Sequence, residues 1–111
     1  MSDREVEAFR EFQEAIRLQP DFDSPHYYLG ILHRQRKEFA RAQEEFQHAL
    51  RINPKNSKAH GNLGLVFLEQ GNLNSAESHF RSALAIDPDD PIARDSLAQV
   101  LEAKSNAGRP K

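Results

Sequence analysis

The sequence predicts an all-α solenoid of antiparallel helix hairpins, and three repeated segments carry that prediction. The segments run from Ala8 to Pro20, from Ala42 to Pro54 and from Ala76 to Pro88, at intervals of 34 residues. In each of them alanine, phenylalanine, alanine and proline recur at the same offsets. A fixed period of this length indicates paired helices that bury their apolar faces only against neighbouring repeats.

The repeated apolar residues fall on one face of a helix. In the middle segment, Ala42, Phe46 and Ala49 are separated by four and three residues, which is the spacing of one helical stripe. Alanine allows another helix to approach closely, and phenylalanine fills the space between helices. Pro54 cannot continue the helix and disfavours helical backbone in the residue before it, so the helix ends there.

Start signals define the helices of the first half. Ser2 and Glu5 form a capping box, in which both side chains satisfy backbone N–H groups at a helix start. Ser24 followed by Pro25 is typical of a cap and a first helical residue. These signals predict the first three helices at about residues 3–18, 25–36 and 38 or 39 to 52.

The second half repeats the same signals. Ser57 is predicted to cap the fourth helix, and Gly71 to supply the positive φ of the turn that follows it. Asp90 and Pro91 repeat the cap and proline start. The last three helices are therefore predicted at about residues 58–70, 74–86 and 91–104, followed by a disordered tail over residues 105–111.

In this register the sequence resembles the tetratricopeptide repeat (TPR) family. Leu29-Gly30 and Leu63-Gly64 supply the family's large and small pair in the first helix of each hairpin, and Leu97-Ala98 stands in the third equivalent place. The resemblance covers about residues 5–104. It implies a right-handed superhelical stack with the first helix of each hairpin on the concave side.

The two full repeats differ in how closely they follow the family pattern. The pattern has an aromatic residue three positions after the glycine and a glycine at the inter-helix turn. Phe67 and Gly71 satisfy it in the second repeat, whereas His33 and Lys37 stand there in the first. These departures leave the predicted fold unchanged.

The predicted organisation is one domain over residues 1–104. It comprises a partial repeat or N-terminal cap helix (1–22), two full repeats (23–56 and 57–90) and a C-terminal capping helix (91–104). By register the first helix is the second helix of a repeat whose first helix is missing. Two interpretations are open: the chain is cut from a longer array, or this helix is a cap.

The resemblance implies a peptide-binding groove along helices two, four and six. Its expected side chains lie outside the packing stripes and combine an apolar centre with polar edges. They are Tyr27, Tyr28, Ile31, Arg34, Lys58, Asn62, Leu65, Glu69, Ser96 and Gln99.

Two features of this groove point to a peptide ligand. Tyr27 and Tyr28 are amphipathic side chains of the kind enriched at binding hot spots, although either one could instead pack between repeats. In several TPR proteins an asparagine in the place of Asn62 bonds the backbone of an extended ligand. An amide can donate and accept at once, which suits a peptide bond.

The clamp that chaperone-binding TPR domains use for a C-terminal carboxylate is not expected here. That clamp needs lysine and asparagine on the first helix, asparagine on the next and two basic residues on the third. Only Asn62 matches, because Tyr27 and Ile31 replace the first pair and Ile92 and Ser96 replace the last.

Composition disfavours several other functions. The formal net charge of −2 and the pI near 6.2 lack the basic footprint of nucleic-acid binding. No stretch approaches the roughly 20 apolar residues of a membrane span, and the N-terminus lacks the apolar core of a secretory signal. The absence of cysteine removes disulfides and thiolate sites and fits a reducing compartment. We therefore expect a cytoplasmic protein.

No catalytic, cofactor or metal site is predicted. No serine has an identifiable partner base. The histidines form no i, i+3 or i, i+4 pair within one helix, so they are interpreted as packing or surface residues rather than metal ligands. They are His26, His33, His48, His60 and His79.

The sequence therefore predicts a non-enzymatic interaction module, a scaffold or adaptor that binds an extended or helical protein segment in its groove. The alternative is a self-assembly module. The first helix lacks a hairpin partner and the sixth lacks a following helix, so their apolar strips could associate head to tail as a weak homo-oligomer.

Overall fold

A computed structural model describes residues 2–108, and over these residues the chain contains six α-helices and no strand. This confirms the all-α prediction. The chain divides into two compact units, unit 1 ending at Pro54 and unit 2 beginning at Lys55. The helices are α1 (Asp3–Leu18), α2 (Asp23–Gln35) and α3 (Phe39–Ile52) in unit 1, and α4 (Ser57–Glu69), α5 (Leu73–Ile86) and α6 (Pro91–Ala107) in unit 2.

Two of the predicted caps are confirmed. The Ser2 hydroxyl accepts a hydrogen bond from the Glu5 backbone N–H at 3.2 Å. At the start of α6, the Asp90 carboxylate accepts from the N–H groups of Ile92 and Ala93 at 3.0 and 3.3 Å. Each side chain satisfies donors that have no acceptor inside the helix.

Two other predicted starts are wrong by one or two residues. Helix α2 begins at Asp23 after Phe22, so Ser24 lies inside the helix and not at its cap. Pro25 is tolerated there because the first-turn N–H groups have no intrahelical acceptor. Helix α4 is capped by Asn56 and not by Ser57, because the Asn56 amide oxygen accepts from the Ala59 N–H at 3.0 Å.

The far end of the chain also differs from expectation. Helix α6 continues to Ala107, three residues beyond the predicted end at Lys104. Lys104 itself is tied to α5, because its ammonium group lies 2.7 Å from the Glu77 carboxylate. The last residues of the predicted tail, 109–111, lie outside the described residues.

The core of unit 1 is built from the repeated stripe. Ala42, Phe46 and Ala49 are fully buried on α3, and Leu29 of α2 is nearly so. Gly30 explains the close approach of these two helices. A Cβ atom at Gly30 would lie 2.6 Å from the Phe46 ring, closer than real Cβ atoms pack, so only glycine lets the ring approach α2 this closely.

Unit 2 repeats the arrangement with α4 and α5. Ala76, Phe80 and Ala83 are fully buried, joined by Ala93 and Val100 of α6. The Phe80 ring packs onto Gly64 as Phe46 packs onto Gly30, again with a hypothetical Cβ at 2.6 Å. The sixth helix thus closes the core of unit 2 along its buried stripe.

Helix α1 carries the same sequence pattern with a different outcome. It contains no buried residue, and Phe12 is only partly covered although its equivalents Phe46 and Phe80 are fully buried. Within residues 2–108, the helix that packs closely on α1 is α2. The Phe12 ring instead stacks on Tyr28 of α2, with ring centroids 5.3 Å apart.

The turn between α2 and α3 and the turn between α4 and α5 each contain a residue with left-handed backbone. Gly71 has φ 79°, as predicted, and Lys37 occupies the equivalent place in unit 1 with φ 63°. A lysine there retains a Cβ that clashes with the backbone in this conformation, whereas glycine does not. Lys37 in place of the pattern glycine therefore lowers local stability but leaves the shape of the turn unchanged.

Replacing Lys37 with glycine should raise the free energy of unfolding by about 1 kcal/mol, because the left-handed conformation costs about 1–2 kcal/mol for a residue with a Cβ. Urea unfolding followed by circular dichroism measures it. The matched control is Gly71→Ala, whose Cβ would meet nothing within 4 Å, so its destabilisation reports the backbone alone. A Lys37→Gly variant no more stable than the wild type would contradict this account.

Candidate functional site

The two tyrosines of α2 take different positions. Tyr27 is half-buried, with its ring centroid 6.0 Å from that of Phe46. Tyr28 is 48% exposed and lies between Phe12, on which it stacks at 5.3 Å and 15°, and the edge of Tyr27 at 5.2 Å. The pair therefore presents one exposed aromatic face whose orientation is fixed by two neighbouring rings.

The other predicted residues of α2 are Ile31 and Arg34, and both are half-buried. Ile31 stands four residues after Tyr27, and Arg34 stands three residues after Ile31, so all three fall on one side of the helix. Their covered portions belong to the packing of the chain. Among the predicted groove residues of unit 1, Tyr28 is therefore the most exposed.

Asn62 of α4 is half-buried, and its side-chain amide donates a hydrogen bond to the Lys58 carbonyl at 3.0 Å. The acceptor lies one turn earlier in the same helix. Because an asparagine amide has two donor hydrogens and one acceptor oxygen, this bond engages one donor and fixes the orientation of the group. Lys58 contributes its backbone to this bond, while its side chain is exposed.

The remaining predicted residues of unit 2 vary in exposure. Leu65 is half-buried and packs against the core of unit 2, whereas Glu69 and Gln99 are exposed. Ser96 is only 7% exposed, which leaves little of its hydroxyl for a ligand. Among the predicted groove residues of unit 2, the exposed polar ones are therefore Lys58, Glu69 and Gln99.

Unit 1 also contains a cleft that the sequence did not predict. It has a volume of about 560 Å³ and lies among α1, α2 and α3. Apolar side chains are accompanied by charged and imidazole groups along its walls. The lining residues are Val6, Phe9, Arg10, Gln13, Ile16, His26, Leu29, His33, Glu38, Arg41 and Glu45.

Two histidine–glutamate pairs contribute to this cleft. The Nδ1 atom of His26 lies 2.8 Å from a Glu45 carboxylate oxygen, and that of His33 lies 3.2 Å from Glu38. The hydrogen bond with His33, followed by that from Arg36, lowers the pKa of the Glu38 carboxyl below its ordinary value. The cleft lining includes no serine, threonine or cysteine, so the pairs have no nucleophile beside them.

The equivalent pair in unit 2 consists of two histidines. His60 and His79 stand 34 residues after His26 and Glu45, and their Nδ1 atoms are 3.4 Å apart. Burial, and then the neighbouring His60, lower the pKa of the His79 imidazole. Sequence spacing within a helix could not reveal this pair, because its members lie on α4 and α5. Among residues 2–108, no group of three or more histidine, cysteine, aspartate or glutamate side chains is placed to hold a metal ion.

The sequence matches the profile of the Tetratricopeptide repeat over two overlapping segments, residues 7–57 and 27–91. The chain belongs to the tetratricopeptide repeat family. This confirms the resemblance drawn from the repeated residues, and the TPR fold is a protein-interaction fold. No match to a curated protein sequence was found.

Solved structures support the same fold. The Arabidopsis OM64 TPR domain superposes with a TM-score of 0.86 at 21% identity, covering 90% of this chain and 83% of that one. The first TPR of Spaghetti (RPAP3), bound to the HSP90 peptide SRMEEVD, gives 0.86 at 19% identity, with 92% and 81% covered. MamA gives 0.83 at 23% identity and covers 91% of this chain and 59% of its own.

The TPR chain has no helix, within its described part, that is long and apolar enough to cross a membrane. The family and the fold are those of a protein-interaction module.

Proposed function

We propose that this TPR module acts as a scaffold or adaptor that binds an extended segment of a partner protein along the first helices of its hairpins. The observation that carries the proposal is the exposed Tyr28 ring, which Phe12 and Tyr27 hold in place. A rigid aromatic anchor contributes contact area with little loss of conformational freedom on binding. Asn62 would add a hydrogen bond to the ligand backbone.

The preferred ligand has an apolar or aromatic anchor and not an acidic C-terminus. One structural neighbour binds the acidic peptide SRMEEVD. In the present chain Tyr27 and Ile31 stand where a carboxylate clamp requires lysine and asparagine, and Ile92 and Ser96 stand where it requires two basic residues. A synthetic SRMEEVD peptide is therefore expected to bind weakly or not at all.

The proposal is tested by selecting ligands from a displayed library of random peptides and measuring their affinity by fluorescence anisotropy. Tyr28→Ala and Asn62→Ala should each weaken binding by about tenfold or more, as the loss of one hot-spot contact does. Glu44→Ala, at an exposed site of α3, should leave affinity unchanged. All three variants must show the same helical circular dichroism as the wild type, so that a change in affinity does not reflect unfolding.

Two results would refute groove binding. One is an unchanged affinity in both Tyr28→Ala and Asn62→Ala. The other is a loss of affinity only in variants that also lose helicity, since that would reflect unfolding. If neither result is found, capture from a cell lysate identifies the natural partner, as a protein bound by the wild type and lost in Asn62→Ala.

Self-association is the second candidate, favoured by the incomplete burial of α1. Phe12 is half-covered, and Leu18 is 64% exposed. The sequence of α6 disfavours it. Gly30 and Gly64 allow a phenylalanine ring to pack on their helices, whereas Ala98, at the equivalent place of α6, has a methyl group that would hinder the same packing by a second copy. Light scattering over a concentration series decides between them, because a constant monomer mass excludes self-assembly as the main role.

A further inference from the structure

His60 and His79 face each other across the hairpin of α4 and α5. Their Nδ1 atoms are 3.4 Å apart, and their rings are inclined by 29°. Phe67 stacks on His79 with ring centroids 5.5 Å apart and an angle of 11°. The imidazole of His79 is therefore held in place from two sides.

The separation of these nitrogens suits a shared metal ion as well as a long hydrogen bond between the two rings. Hydrogen bonds from ring N–H groups are usually about 2.7–3.2 Å long, so the contact at 3.4 Å is a weak one. Two imidazole nitrogens bound to one tetrahedral zinc ion lie about 3.4 Å apart, since each Zn–N bond is about 2.0–2.1 Å. The pair thus has the bite of two ligands to one cation.

The equivalent pair in unit 1 provides an internal comparison. His26 lies 2.8 Å from Glu45, an ordinary charge-assisted hydrogen bond. His26 is also buried, whereas His60 and His79 are only half-buried. The histidine pair of unit 2 is thus closer to solvent than His26 is. Where unit 1 has a histidine and a glutamate in contact, unit 2 therefore has two imidazole nitrogens of the kind that bind metal ions.

We propose that His60 and His79 form a binding site for a divalent transition-metal ion such as Zn²⁺, with water completing the coordination. Imidazole nitrogen is a preferred ligand of zinc, nickel and copper. With two protein ligands the site holds its ion more weakly than a structural zinc site, which has four. The proposal is independent of peptide binding by the module.

Isothermal titration calorimetry with Zn²⁺ alone, in a buffer that does not chelate metals, tests the site. The wild type should bind one ion per chain, and His60→Gln and His79→Gln should each weaken binding by at least about tenfold, the lower end of losses seen even for outer-shell changes. His48→Gln is the matched control, because His48 stacks on His26 in unit 1 and should leave affinity unchanged. Mg²⁺, which prefers oxygen ligands, should not bind.

A second measurement does not depend on variants that must fold. In long-range ¹H–¹⁵N spectra of the wild type, Zn²⁺ should shift the Nδ1 signals of His60 and His79 and leave those of the other three histidines in place. Three results would overturn the proposal: no zinc binding, equal shifts at all five histidines, or equal losses in His48→Gln and His79→Gln. The last two would indicate adventitious binding only.

Discussion

Replacing Phe46 with alanine is expected to lower the free energy of unfolding by about 3–5 kcal/mol, the cost of emptying a buried aromatic site. Phe46 is fully buried, and its ring is in contact with the Gly30 backbone position. The helices cannot close the cavity easily, because Ala42 and Ala49 already bring them as near as small side chains allow. Urea unfolding monitored by circular dichroism measures the loss.

The matched control is Phe12→Ala, which removes the same side chain from the same repeat position on α1. Phe12 is only half-covered, so it buries less apolar area on folding than Phe46 does. The expected loss of unfolding free energy is therefore smaller, about 1–2 kcal/mol. Equal losses in the two variants would show that α1 is as tightly packed as α3, contrary to the structure. A Phe46→Ala loss below that of Phe12→Ala would be a stronger contradiction.

The contrast between these phenylalanines shows what the period of the sequence can and cannot predict. Identical offsets placed Phe12, Phe46 and Phe80 on the same helical face, and each does lie on that face. Burial depends in addition on a second helix packing against it, which is a property of neighbours and not of the segment. The stripe alone therefore predicted the helices well and their coverage less well.

Helix ends followed the same logic. The proline-terminated stripes predicted the ends of α1, α3 and α5 correctly. The cap residue of α4 was predicted one position too late. Asparagine and serine both accept first-turn hydrogen bonds, and Asn56 stands directly before Ser57. Which of two adjacent acceptors is used depends on backbone angles that sequence patterns do not encode.

The candidate sites divide in the same way. The expected groove residues could be named from a family resemblance, and their role stays a prediction; the structure shows Tyr28 exposed and Ser96 buried. The histidine pair of α4 and α5 was missed, because its members are 19 residues apart and meet only when the hairpin closes. Comparison of His60 and His79 with their equivalents one repeat earlier could have found it.

Gly64→Ala should destabilise the chain by about 1–3 kcal/mol, the usual cost of overpacking, even though alanine favours helix. The new Cβ would lie 2.6 Å from the Phe80 ring, and a fully buried ring has little room to move. Gly61→Ala, in the same helix, is the control. Its Cβ would meet nothing within 4 Å, so it should stabilise by up to about 1 kcal/mol from helix propensity.

Opposite signs for these two glycines are the decisive result of the unfolding measurements, and a loss of equal size in both would refute the close-approach account. A double-mutant cycle sharpens the test, because Gly64→Ala should cost less in a Phe80→Leu background, where the ring is absent. Ala98 supports the same reasoning from within the chain. It occupies the equivalent place on α6, where it is exposed. Glycine is thus required at this place where a ring packs on the backbone, and alanine is accommodated where the place is exposed.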